Sequence, residues 1–212
     1  MYPLNWKADG RPCLVVGAGH VALRKVRGLL AASACVTVTA PEASAEIQQL
    51  AEAGRIRYRM QCFAPGEERG FALVISTAGD EAAARYLSEA ADAEGFLYNA
   101  ADFPALGNCT LPAHFERGSL MIAVSTAGQS PAFAKYIKNW LEESIPEDFG
   151  AWLDRLSALR GEAKGKIRTS AERERFWRAA FSSDVMALAA SGHLEEAEEY
   201  IRNAMGGFGA ES

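Results

Sequence analysis

The chain has 212 residues, 49% of them hydrophobic and 23% charged, with a formal net charge of −5. That length suits one large or two small domains with a proper core, and the composition excludes disordered and fibrous classes. The acidic balance argues against general nucleic-acid binding, and no apolar run reaches the length of a membrane span.

The opening Met1–Lys7 lacks the apolar core of a signal peptide, so the expectation is a cytoplasmic protein with neither nucleic acid nor membrane as partner. Cys13, Cys35, Cys62 and Cys109 are dispersed without a Cys-x-x-Cys pair, and they read as reduced, buried thiols.

The apolar run Cys13-Leu14-Val15-Val16 predicts a first strand, which leads directly into Gly17-Ala18-Gly19-His20-Val21-Ala22. Gly17 suits a tight turn, Gly19 lets a pyrophosphate approach the main chain, and Ala22 is small enough for the next helix to pack on its strand. Ala22, Val26, Leu29 and Leu30 recur at helical spacing, so the glycines open a helix whose N-terminus can receive a dinucleotide's phosphates. Gly17, Ala18, Gly19, His20, Val21 and Ala22 are thus candidate cofactor contacts.

Val36–Thr39 predicts the second strand, Ala40-Pro41-Glu42 a break, and Ala45–Ala53 a helix ended by Gly54. Arg55–Met60 alternates as a strand with one wet face, Pro65-Gly66 marks a turn, and Phe71–Ser76 reads as a strand buried on both faces. Asp80 can cap an Ala-rich helix through Ala93, with Phe96–Asn99 as the next strand. Such alternation is that of a parallel doubly wound sheet: α/β, Rossmann-type.

About 20 residues past the glycines, where an NAD site offers an acidic group to the ribose, stand Thr39, Ala40 and Pro41, with Glu42 slightly beyond. No Arg for a 2′-phosphate is evident there, which leaves NAD against NADP open. Thr77, following the buried strand, is either a polar strand end or a dinucleotide contact.

Beyond Pro104, Cys109–Leu111 and Leu120–Ser125 read as further strands. The polar loop Ser125–Ser130 then enters a helix with Ser130 as N-cap and Pro131 at its first position, a second possible anion site. Phe133, Tyr136, Ile137, Trp140 and Leu141 form a stripe on that helix, read as core or subunit contact.

Pro146 ends it, and from Phe149 the chain is helical. Trp152, Leu153, Leu156 and Leu159 make one apolar face, and Phe176, Trp177, Ala180 and Phe181 another. A last helix pair spans Met186–Met205, and Ala210-Glu211-Ser212 trails off. No two histidines have metal-ligand spacing, so no protein-held metal is expected. His20 would flank phosphates, and His193 reads as helix-end surface.

Four stretches carry a family resemblance: Val15 to Lys25, Asn99-Ala100-Ala101-Asp102, Ala123 to Pro131, and Glu172 to Trp177. The Val-Ala-x-Arg-Lys continuation and the Ser-Thr-x-Gly-x-Ser-Pro loop are more specific than the glycines alone. The chain resembles the precorrin-2 dehydrogenase/sirohydrochlorin ferrochelatase family, the NAD-binding module of siroheme synthase. The resemblance implies a homodimer with a Rossmann domain over 1–112, a dimerisation region over 113–146 and an all-helical domain over 147–212. It also implies NAD-dependent oxidation of precorrin-2 to sirohydrochlorin, followed in many members by Fe²⁺ insertion. Some relatives fuse a uroporphyrinogen methyltransferase behind the module; with the chain stopping at Ser212, that activity is not expected here.

The family's catalytic aspartate falls on Asp102, which makes Asp102 the expected proton acceptor; by residue chemistry alone a turn-forming role is equally open. Asn99 would line the macrocycle pocket, with Ser125, Thr126, Gly128 and Ser130 as the anion loop. Thr126 stands where some members carry a phosphorylatable serine. His114 is a structural residue or an approach to the macrocycle. Arg117, Lys135 and Lys138 are candidates for the cationic patch that a polycarboxylate needs in an acidic protein. Rival readings are a different NAD(P)-linked reductase and a non-enzymatic nucleotide sensor. Asp102 and the anion loop, which a sensor does not need, favour an enzyme.

Overall fold

In the computed structural model the described residues are 1–208; the expected loose end at Ala210–Ser212 lies outside them. The chain divides into two compact units, Met1–Leu111 and Pro112–Ser212.

The first unit is built on five parallel strands in the order β3-β2-β1-β4-β5. They are β1 (Pro12–Val16), β2 (Cys35–Ala40), β3 (Arg57–Met60), β4 (Leu73–Ser76) and β5 (Leu97–Ala100). Helices α1 (His20–Ala31), α2 (Ala45–Glu52) and α3 (Glu81–Glu94) supply the crossovers.

Successive side chains of β1 point to opposite faces. Cys13 and Val15 pack with Ala22, Val26 and Leu29 of α1 and Ile47 of α2. Leu14 and Val16 pack with Leu87 and Ala91 of α3 and with Tyr98. Burial on both faces explains the unbroken apolar run at 13–16. Asp80 caps α3 as expected, accepting the Ala83 N–H at 3.0 Å.

Two expectations are corrected. Residues Cys109–Leu111 form no strand; the Asn108 and Cys109 N–H groups both donate to the Tyr98 carbonyl, which folds this segment back as a loop. The thiols are free, but only Cys13 is buried: Cys35 and Cys62 are exposed and Cys109 is intermediate. Cys35 opens β2 at its wet end, and Cys62 lies in the loop after β3.

The second unit begins with an antiparallel hairpin, β6 (Ala113–Arg117) and β7 (Leu120–Val124), with Phe115 opposite Ile122. Strand β6 was not legible in the sequence. Helix α4 (Pro131–Ser144) packs on the hairpin and starts as expected, with Ser130 Oγ accepting the Phe133 N–H at 3.2 Å.

Four helices follow: α5 (Phe149–Lys166), α6 (Ser170–Ala180), α7 (Ser183–Ala190) and α8 (Leu194–Phe208). Their core joins Trp152, Leu156, Leu159, Phe176, Ala180, Val185, Ile201 and Met205. Backbone meets backbone where α5 begins: a Cβ on Gly150 would lie 2.0 Å from the Arg117 carbonyl oxygen, so only glycine fits under the hairpin turn. Among the described residues no helix is long and apolar enough to cross a membrane.

Candidate functional site

Strand order reverses between β1 and β4, and in doubly wound sheets ligands bind at the carboxyl ends of the strands flanking that reversal. Here those ends are Val16-Gly17 and Ser76-Thr77. They are tied together: Thr77 donates its N–H to the Val16 carbonyl at 2.8 Å and its Oγ1–H to the same oxygen at 3.1 Å. Gly17 donates to the Thr39 carbonyl at 2.9 Å, which links β2 to the same edge.

Gly17 has φ +107, and a Cβ on it would lie 2.5 Å from Thr77 Oγ1. Neither the backbone angle nor the space admits a side chain.

Gly19 is the N-cap of α1, which has no side-chain cap and no acidic residue in its first turn. Its first N–H groups and positive dipole end are left for an anion. A Cβ on Gly19 would enter open space, so no protein atom crowds the helix N-terminus there. Ser44 points the same way. Its N–H donates to the Ala18 carbonyl at 3.1 Å, while its buried Oγ has no hydrogen-bond partner. These features fit a dinucleotide. Of the other residues expected here, His20 and Val21 are exposed, and Ala18 and Ala22 are buried beneath the turn.

Thr39 is fully buried and donates its hydroxyl to the Gln61 carbonyl at 3.3 Å, so this residue serves the turn through its main chain. The Ala40 carbonyl accepts the Tyr58 hydroxyl at 2.9 Å. Pro41 and Glu42 are exposed just past β2, where Glu42 carries the acidic group nearest that strand end.

Asp102 follows β5 on the same sheet edge. Its Oδ2 accepts the Gly79 N–H at 2.8 Å, which joins the loop after β5 to the loop after β4. Together with Val16, Ser76, Ala78, Asp80, Ala83 and Phe103, these two residues line one small recess. Val16, the last residue of the strand before the glycine turn, and Asp102 therefore line the same recess.

Ser76 and Tyr98 share a buried hydrogen bond of 2.8 Å behind the recess. Burial pushes the Tyr98 phenol up, the Ser76 bond opposes that rise, and the Asp102 charge adds to it. Tyr98 is therefore a neutral group at physiological pH, which holds Ser76 in place. Sequence reasoning passed over Ser44, Ser76 and Gly79. The available signal was their position: each is polar or glycine, and each lies at the start of a helix or at a strand's carboxyl end.

Asn99 is not in the recess. It donates its amide to the Cys109 carbonyl at 3.1 Å, pinning the segment that follows.

Within the second unit, the loop at 125–130 is largely self-satisfied. Ser125 Oγ accepts the Ala127 N–H at 3.2 Å, Thr126 Oγ1 exchanges bonds of 3.1 Å with the Ser130 main chain, and Ser130 Oγ caps the helix. Ala127 (φ +54) and Gly128 (φ +84) complete this tight turn. His114 is exposed on β6, with Nδ1 3.1 Å from the Pro112 carbonyl. Of the expected cations, Lys138 pairs with Glu142 and Arg117 lies 3.7 Å from it, whereas Lys135 is exposed. His193 is exposed in the turn before α8.

Phe133, Tyr136 and Trp140 are 55%, 64% and 56% exposed, so this stripe is not core within the chain. Among the described residues no group of three His, Cys, Asp or Glu is placed to hold a metal ion.

Fold and edge geometry define the first unit as an NAD(P)-binding domain, and residues 4–113 match the family described as putative NAD(P)-binding. Residues 117–144 match the sirohaem biosynthesis protein central region, and residues 148–205 the sirohaem synthase dimerisation region. The chain belongs to the siroheme synthase/precorrin-2 dehydrogenase family, with NAD as its cofactor.

It is 37% identical over 203 residues to a siroheme synthase of Methylococcus capsulatus, covering 95% of this chain and 43% of that protein. It is 36% identical to the siroheme synthase of Ectopseudomonas mendocina, covering 97% of this chain and 44% of the relative. The chain thus spans less than half the length of these relatives. Among solved structures it resembles SirC, a precorrin-2 dehydrogenase, with TM-score 0.75 and 26% identity, covering 96% of this chain and 98% of that one.

Proposed function

We propose that this chain oxidises precorrin-2 to sirohydrochlorin with NAD⁺ as the electron acceptor. The observation that carries the reading is the shared recess, where the end of the glycine-turn strand, Val16, and the carboxylate of Asp102 line one place. The likeness to SirC over nearly both chains supports the same activity.

Oxidation removes a hydride and a proton from the macrocycle. NAD⁺, when bound, supplies the hydride acceptor. The Gly17–Ala22 turn and the first N–H groups of α1 hold its pyrophosphate, with Ser44 Oγ as a further donor beside them. Glu42, beyond β2, accepts from the ribose hydroxyl, which favours NAD over NADP, and Thr77 stands along the dinucleotide's path. Asp102 takes the proton on its free oxygen, Oδ1, while the Gly79 N–H holds Oδ2 in place.

Fe²⁺ would be a second substrate. Its insertion releases pyrrole N–H protons, which the same carboxylate would receive. Among residues assigned to the macrocycle, Lys135 is available to meet its carboxylates, while His114 stands exposed on β6 with Nδ1 turned to the Pro112 carbonyl. Asn99 pins the segment after β5, and Ser125, Thr126, Gly128 and Ser130 shape the loop before α4.

The domain assignment is 1–112 for the dinucleotide, 113–146 for subunit pairing and 147–212 for the helical part, in a cytoplasmic homodimer. Pairing through 113–146 is supported by the exposed Phe133-Tyr136-Trp140 stripe and by a sheet of only two strands, which leaves its edges unpaired. The match to the dimerisation region falls on 148–205, which supports pairing through the helices as well.

The test mixes purified protein, NAD⁺ and enzymatically generated precorrin-2. NADH and the sirohydrochlorin spectrum should appear together and only with NAD⁺; no spectral change refutes the reading. Replacing NAD⁺ with NADP⁺ tests the Glu42 assignment, and adding Fe²⁺ to sirohydrochlorin tests chelation on its own.

A further inference from the structure

The recess beside Asp102 holds a hydrogen-bond donor that the protein leaves unspent. Ser76, only 8% exposed, lines the recess at the end of β4, and its Oγ lies 2.8 Å from the Tyr98 hydroxyl. The surroundings fix the direction of that bond. Tyr98 is fully buried against Leu87 and Ala91 of α3, and among the described residues its hydroxyl meets no acceptor other than Ser76 Oγ. A bond from Ser76 to Tyr98 would strand the phenolic proton in the core, whereas the reverse bond satisfies it. Burial raises the Tyr98 pKa and so keeps that proton on the phenol. Tyr98 therefore donates, and the Ser76 oxygen, having accepted, retains a hydrogen of its own.

Among the described residues nothing takes that hydrogen. Asp102 Oδ2 is engaged by the Gly79 N–H and Asp80 Oδ1 by the Ala83 N–H, and neither carboxylate is bonded to Ser76. The space in front of it is matched to one atom: the recess measures about 10 Å³, room for roughly one water or one ligand oxygen. Two carboxylates, Asp80 and Asp102, line it, and no cation among the described residues does. A carboxylate or phosphate oxygen would meet like charge there, so the acceptor that fits is a neutral oxygen, best carried on a cationic ring.

Oxidised NAD carries that combination, a carboxamide on a pyridinium ring. With its adenosine ribose at Glu42 past β2 and its pyrophosphate over α1, the remainder of the dinucleotide runs along the sheet edge toward β4 and β5, where Ser76 stands. We propose that Ser76 is the donor that seats the carboxamide oxygen of the nicotinamide, a role that rests on the dinucleotide placement proposed above. Tyr98, which touches no ligand, is a positioning residue that turns the Ser76 hydrogen outward. Asp102 stays free to take the proton.

Calorimetric titrations of the full chain compare NAD⁺ with ADP-ribose, which keeps both riboses and the pyrophosphate but lacks the ring. Ser76→Ala should weaken NAD⁺ by about threefold to tenfold and leave ADP-ribose unmoved. Ser76→Ala/Tyr98→Phe removes the phenol that the single change leaves unpaired, and it should show the same loss of NAD⁺ affinity. Recovery of wild-type affinity in the double variant assigns the loss to the unpaired phenol and overturns the proposal. Tyr98→Phe alone should weaken NAD⁺ by a smaller factor, again without effect on ADP-ribose; a titration identical to wild type removes the positioning role. Nicotinic acid adenine dinucleotide, with a carboxylate in place of the amide, should bind the wild type less tightly than NAD⁺. Equal losses of NAD⁺ and ADP-ribose on Ser76→Ala, or equal binding of the carboxylate analogue and NAD⁺, overturn the assignment.

NADH formation from precorrin-2 is read on the same wild-type preparation. If none forms while NAD⁺ affinity still depends on Ser76, the functional reading fails and the carboxamide contact stands. If NADH forms and Ser76→Ala binds NAD⁺ as the wild type does, the contact alone fails.

Discussion

The Asp102 carboxylate accepts the Gly79 N–H at 2.8 Å through Oδ2, so the proposed proton acceptor also fastens two loops that leave neighbouring strands. The two tasks are separable by substitution. Asp102→Asn keeps an oxygen for the Gly79 N–H but accepts no proton. It should retain NAD⁺ affinity and thermal stability while losing about 10²–10⁴ in turnover. Asp102→Ala should lose the same activity and also melt lower. Calorimetric NAD⁺ titration beside NADH formation checks both, and near-normal turnover in Asp102→Asn rejects the role.

Gly17→Ala places a methyl 2.5 Å from Thr77 Oγ1 at φ +107. Dinucleotide affinity should fall at least about tenfold, with a lower melting temperature. Thr77→Ala in the same chain removes the hydroxyl contact but neither the positive φ nor the 3.2 Å approach to the Thr77 carbonyl. Rescue should therefore be partial, and full rescue would show that the side chain alone excludes alanine.

The thiols should sort by burial. Cys13 is pushed up to about 11 by burial, with Cys35 adding to the rise, whereas Cys35 and Cys62 are exposed. The thiolate is the nucleophile, so a rise from 9.0 to about 11 cuts its fraction at neutral pH about a hundredfold. Brief iodoacetamide treatment of the native protein should label Cys35 and Cys62, slow at Cys109, and leave Cys13 until denaturant is added. Mass spectrometry of the peptides reads the order.

Glu142 gathers the cations of its surroundings. The Lys138 ammonium hydrogen-bonded to it, with Arg117 nearby, holds its carboxyl below the usual carboxylate range. A lowered folded-state pKa contributes stability above the unfolded value, and that contribution disappears as pH falls through the folded value. Glu142→Gln should therefore lower the melting temperature at neutral pH, and the difference from wild type should close in acid. A difference that persists at low pH would assign the effect to packing.

Removing the Ser130 cap frees the Phe133 N–H, so Ser130→Ala should destabilise the second unit by about 1 kcal/mol. Ser130→Asp, which still caps, should not. Denaturant melts followed by far-UV circular dichroism distinguish them.

The parallel sheet was legible because its central strands are buried on both faces and α3 begins with a recognisable cap. Val15, Val74 and Asp80 each follow a local rule. The hairpin strand at Ala113–Arg117 was not legible, because Phe115 is its only buried residue and the neighbours carry charge. Cys109–Leu111 misled in the opposite sense: apolar enough for a strand, it is held as a loop by the Tyr98 carbonyl and the Asn99 amide. At the site, residue types pointed to Gly17, whereas Asp102 stood out only through the family resemblance. The Ser76–Tyr98 bond and the Gly79 contact depend on strands brought together only by the fold.

Separate interiors have a calorimetric consequence. Val15 and Leu87 belong to clusters within the first unit, and Trp152 and Ile201 to one within the second, so each unit carries its own source of cooperativity. A ligand confined to the carboxyl edge of the sheet adds free energy only to the melting of that sheet. Heating with excess NAD⁺ should then pull one endotherm upward and leave its companion where it was, so that a single protein reports occupancy on one peak and carries its own reference on the other.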